Sequence, residues 1–129
     1  MPRAAEPFQY AIVRVVPRVE RGEALNVGVV LFCRPLRFLD ARVGLDEGLL
    51  AALSPGCDAT ELRAQLDTLV AVAEGRPEGG RVAGLDQSER FHWLTSPAST
   101  IVQTSAVHTG LTSDPAGELD RLFSALVSR

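Results

Sequence analysis

Six polar side chains of this 129-residue chain combine types and spacings that could do chemistry: Arg14, Glu23, Asn26, Gln103, Ser105 and His108. The guanidinium at position 14 offers a planar fork of donors matched to a carboxylate or a phosphate. Glu23 could neutralise that fork internally, or act as a general base beside a bound ligand. Histidine is the side chain suited to proton exchange near neutral pH. Ser105 stands three residues before His108, so a strand followed by a turn would bring both to one rim. In this arrangement Arg14, Glu23 and His108 are the candidate catalytic residues, and Tyr10, Asn26, Gln103 and Ser105 the candidate ligand-binding ones. The same residues also admit a packing account. Arg14 and Glu23 would form an ion pair that holds a loop down, Asn26 would cap a backbone turn, and His108 would bond near a strand end.

Several familiar mechanisms lack their parts. Neither Ser99 nor Ser105 sits in a Gly-x-Ser-x-Gly elbow, and no aspartate is arranged behind His108. His92 and His108 are the only histidines, and the sequence has neither a spaced cysteine pair nor a His-Glu-x-x-His helix, so no metal or cofactor is expected. Glu23, Asp40 and Asp46 are acids that magnesium accepts, but their spacing does not select it. The glycine-rich stretch at 75–84 has no strand before it and no Gly-Lys-Ser/Thr after it, so it reads as a flexible link and not as a phosphate loop.

A second cluster, Arg90-Phe91-His92-Trp93, offers Arg90, His92 and Trp93 as an interface, since tryptophan and arginine anchor protein contacts when desolvated. The alternative is that its aromatics close the core beneath the glycine-rich link.

The elements that must position these groups follow from periodicity. In Gln9–Val16 the apolar side chains alternate over both faces of a strand with Arg14 among them, and Pro17 ends regular pairing. Residues 18–26 carry four charges and one glycine, which predicts an exposed irregular loop. Val27–Cys33 has no polar side chain, the pattern of a central strand covered on both faces. After a turn at Arg34–Pro35, residues 36–43 read as an edge strand. Asp46 caps a short helix ending at Ser54-Pro55-Gly56. Asp58 and Glu61 open a second helix, with Leu62, Leu66, Leu69, Val70 and Ala73 at helical spacing. A helical turn is expected at 88–94, a strand at 99–107 and an exit turn at 108–110. Asp114 and Pro115 start a last helix with Leu119, Leu122, Phe123, Leu126 and Val127 on one side. The expected class is α+β, a mainly antiparallel four-stranded sheet with one layer of two or three helices. One domain is expected over residues 1–129, with residues 1–7 as a mobile lead-in.

A net charge of −3 and 46% hydrophobic residues describe a folded chain, and no apolar run reaches membrane-spanning length. The first eight residues lack the apolar stretch of a signal peptide, and two cysteines in unlike contexts suit a cytoplasmic chain with free thiols. Arginines outnumber acids before Leu45, but the excess is modest and not gathered into a run, so nucleic-acid binding is disfavoured.

Tyr10-x-x-x-Arg14, Glu23-x-x-Asn26-Val27-Gly28, Arg90-Phe91-His92-Trp93-Leu94 and the segment from Gln103 to Gly110 carry a resemblance. On these motifs the chain resembles the bacterial domain-of-unknown-function family 3037, from Tyr10 to the last helix. The resemblance implies a single domain and brings no mechanism with it. Beside nucleic-acid association through the arginine-bearing N-terminal half with aromatic help, which ranks third, two functions compete. One is a small cytoplasmic module that binds another protein through the 18–26 loop and the Phe91–Trp93 region. The other is a domain that binds or hydrolyses a small anionic or phosphate-containing compound, with Arg14 holding it, Glu23 activating water and His108 moving a proton.

Overall fold

The computed structural model describes residues 4–98 and 100–128. Strands β1 (Glu6–Val15), β2 (Leu25–Cys33) and β3 (Phe38–Val43) form an antiparallel meander. Two further strands, β4 (Val102–Thr104) and β5 (His108–Thr112), both pair with the free edge of β1, giving the order β3-β2-β1-β4 with β5 beside β1. They run end to end. Val13 faces Thr104 and Tyr10 faces His108, so four residues advance on the outer strand while three advance on β1. The fourth strand expected from the sequence is therefore present, but broken by one extra residue. His108 lies inside β5 and not in an exit turn, and the strand expected at 99–107 shrinks to three residues, with Ser99 outside the described residues.

Four helices complete the chain: α1 (Glu47–Leu53), α2 (Ala59–Glu74), α3 (Gln87–Leu94) and α4 (Pro115–Leu126). Each begins where an aspartate can accept from the first free backbone N–H groups, namely Asp46, Asp58, Asp86 and Asp114. They occupy both faces of the sheet, not one. Val30 and Phe32 of β2 pack with α2 and α3, whereas Val29, Leu31 and Cys33 pack with α4. The reason is β2 itself: it is apolar on both faces, so either face left open would leave core side chains in water.

A β-bulge sits in β2 against Val13 and Arg14. Val27 is the extra residue; it joins Leu25, Val13 and Val15 in the cluster under α1 and α2. Gly28 follows, and a Cβ there would meet the Arg42 carbonyl oxygen and the Val43 side chain at 2.8 Å. The bulge turns Asn26 to the opposite face, where its amide donates to the Leu126 carbonyl at 3.1 Å and ties down the end of α4.

Residues 75–84, expected as a flexible link, form two short 3-10 turns, Pro77–Gly79 and Val82–Gly84, that pack on α2 and bury Ala83. The edge strand β3 starts at Phe38, two residues later than its pattern, because Arg37 closes the preceding turn at φ +51°.

Candidate functional site

Arg14 and Glu23 do not pair. Glu23 accepts from the Arg21 Nε at 2.5 Å, and Arg18 pairs with Glu20 at 3.4 Å, so the charges of the loop before β2 neutralise one another in water. Gly22 at φ +72° makes the turn that brings positions 21 and 23 together. This local pairing corrects the expected Arg14–Glu23 bridge. It costs less chain entropy than folding the loop back over the sheet.

Arg14 instead stands on the sheet face that carries α4, half-buried, with Asn26 and Gln103 as its cross-strand neighbours. Among the described residues it has neither an ion pair nor a side-chain hydrogen bond. Tyr10 and Ile12 precede it on the same face of β1, and His108 faces Tyr10 from β5. The Tyr10 and His108 rings stack with centroids 5.1 Å apart, and Phe8 stacks on Tyr10 at 6.0 Å. The ladder climbs out of the core: Phe8 is buried with α4, Tyr10 lies at that cluster's margin, and His108 is exposed. Gly110 makes room for it, since a Cβ there would lie 2.7 Å from the Phe8 ring. Helix α4 packs mainly over β2 and β3, and the Ile12, Arg14 and His108 side of the sheet stays partly open, with Ile12 and Arg14 half-buried and His108 exposed.

Ser105 serves the sheet. Its hydroxyl accepts from the Ile12 N–H at 2.9 Å and donates to the Ala106 carbonyl at 2.9 Å, while its own N–H donates to the Ile12 carbonyl at 2.8 Å. It holds the junction between β4 and β5, a use that leaves its proton engaged. Gln103 is turned back on its own loop and donates to Thr100 at 2.7 Å. The fold thus gathers Tyr10, Arg14, Asn26, Gln103 and His108 on one face and leaves Glu23 in the exposed loop, so the water-activating carboxylate of the hydrolytic reading is spent on Arg21.

The second cluster divides. Arg90 faces inward, donating to the Leu85 carbonyl at 2.7 Å and the Ala73 carbonyl at 3.4 Å, where it clamps the end of α2. Phe91 and Leu94 are buried. His92 is exposed, with Nδ1 2.8 Å from the Ser88 carbonyl oxygen one turn earlier. Trp93 is 53% exposed beside a cleft of about 670 Å³ between α2, α3 and β4, whose walls include Leu69, Leu94, Val102, Gln65 and Thr104. The cleft was not readable from the sequence, because its wall opposite the helices is the short strand β4.

One carboxyl stands apart. Burial pushes Asp40 on β3 above the usual carboxylate range and the neighbouring Glu74 adds to this, while the Ala41 N–H and Arg76 act in the opposite direction. No cluster of three metal-ligating side chains occurs among the described residues, and none of their helices is long and apolar enough to cross a membrane.

The family model described as a protein of unknown function, DUF3037, matches residues 10–127. The chain belongs to this family. The match begins at Tyr10 and ends in the turn after α4, so it spans both the open sheet face and the Trp93 cleft. No curated protein and no solved structure matches the chain.

Proposed function

We propose that the chain is a protein-interaction module that seats an apolar segment of a partner in the cleft beside Trp93. The observation that carries this is the direction of one side chain. In α3, Phe91 and Leu94 turn into the core while Trp93, the chain's single tryptophan, stays 53% exposed over an open apolar cleft. An exposed tryptophan above Leu69, Leu94 and Val102, rimmed by Gln65, Thr68 and Thr100, has the make-up of an interface anchor with a polar rim. Covering it would remove roughly 100 Å² of aromatic surface from water, about 2.5 kcal/mol. The cleft also lies beside β4, at the end of the sheet. We place the protein in the cytoplasm, a setting that suits its two free cysteines.

The test is capture of binding proteins by the wild-type chain and by Trp93→Ala. The variant should keep its melting temperature, because the removed surface is already largely in water, and should weaken binding of a captured partner about 30-fold, roughly 2 kcal/mol. Equal binding by both chains would put the interface elsewhere.

A further inference from the structure

The open half of the sheet, on the face that carries α4, differs in make-up from the Trp93 cleft, which it adjoins at Gln103. Of the arginines among the described residues, six form ion pairs, while Arg34 bonds Ser88 and Arg90 bonds carbonyls. Arg14, Arg37 and Arg81 have no such partner, and Arg14 alone of these is half-buried in the sheet. A guanidinium carries five donors, and one held against a sheet is a ready receptor for an anion. Among the described residues the patch holds no competing carboxylate: Glu23 is taken by Arg21, and Glu6, the acid of β1 on this face, lies eight residues away, about 26 Å along the strand.

Four residues from Arg14, roughly 13 Å at the backbone, the stacked Tyr10 and His108 rings end the aromatic ladder at the surface. Ile12 lies between them as an apolar floor. A flat ring can extend the stack at His108 while an anionic group reaches back toward Arg14, whose side chain is long enough to shorten the span. We propose that this face binds a small anion bearing a flat heterocycle, a compound of the nucleoside phosphate class, with its ring against His108 and its phosphate on Arg14.

The experiment is calorimetric titration of the full chain with adenine, guanine, cytosine and uracil mono- and triphosphates. Adenosine and ribose 5-phosphate serve as probes for ring and phosphate alone. At least one nucleotide should bind, and each half-probe should bind about tenfold more weakly or worse. Arg14→Gln should cost about tenfold through the phosphate and His108→Ala about tenfold through the ring, both with unchanged melting temperature. Absence of binding below 1 mM (about the weakest affinity worth calling specific) across the panel would overturn the proposal. So would a single-stranded RNA that binds where no mononucleotide does. A drop of several degrees in the melting temperature of Arg14→Gln, with nucleotide binding unchanged, would assign the guanidinium to holding the fold and equally overturn it.

Discussion

Replacing Ser105 by alanine removes one hydroxyl that serves two backbone groups at the break between β4 and β5. The Ile12 N–H loses its acceptor at 2.9 Å, and the Ala106 carbonyl loses a donor at the same distance. The retained backbone bond from the Ser105 N–H to Ile12 keeps the strands together, so the loss is local. A net hydrogen bond contributes roughly 1 kcal/mol, and a partly buried N–H left without a partner costs about 1–3 kcal/mol. Ile12 is only half-buried, so water reduces the penalty and the expected destabilisation is about 1–2 kcal/mol. For 129 residues the unfolding entropy makes 1 kcal/mol correspond to about 4 °C. Thermal unfolding should therefore show a melting temperature about 4–7 °C lower. Hydrogen exchange at the Ile12 amide should speed up by about an order of magnitude, the kinetic image of roughly 1.4 kcal/mol. A serine placed only for nucleophilic chemistry would leave both readouts unmoved. A melting temperature within about 1 °C of wild type, with Ile12 still protected, would refute the structural assignment of Ser105.

Three further outcomes follow from the packing. Asp40→Asn should raise stability at neutral pH: the carboxyl holds its proton more tightly folded than unfolded, so its charged form costs stability as pH rises through the raised value. Asparagine keeps the acceptor for the Ala41 N–H without that charge, so the gain should vanish toward about pH 3, as melting temperatures across pH would record. Asn26→Ala should lower stability by about 1 kcal/mol in denaturant titration, through the freed Leu126 carbonyl at the end of α4. Gly28→Ala should cost about 1–3 kcal/mol by the same assay, because the added methyl strikes the Arg42 carbonyl oxygen, which the β2–β3 ladder does not let move.

The parts legible in the sequence were those set by local rules. Asp46, Asp58 and Asp114 mark helix starts because the first amides of a helix need acceptors, and Pro115 fits the first turn for lack of one. The unbroken apolar run of β2 announced a strand covered on both faces, although one layer of helices was expected; α4 supplies the second cover. What stayed hidden depends on long-range pairing. The outer strand breaks into β4 and β5 because Ser105 can supply the acceptor that an unbroken ladder would have given Ile12, a choice no periodicity records. Glu23 finds Arg21 through a glycine turn two residues wide, so its nearness to Arg14 along the hairpin counted for nothing. Arg90 reads as a surface anchor beside Trp93 until α2 ends next to it and offers carbonyls. The gathering of Tyr10, Arg14, Asn26, Gln103 and His108 on one face, by contrast, follows from period-2 alternation once the register is fixed.

Whether the Trp93 cleft receives a partner protein can be read by site-directed photo-cross-linking. A photoactivatable side chain is placed either at Gln65, on the cleft wall, or at Ala125, exposed on α4 away from it. Position 65 should give one discrete protein adduct, lost when Trp93→Ala is added to the same chain, and position 125 should give none. An adduct from position 125 instead, or one from position 65 that survives Trp93→Ala unchanged, would contradict it.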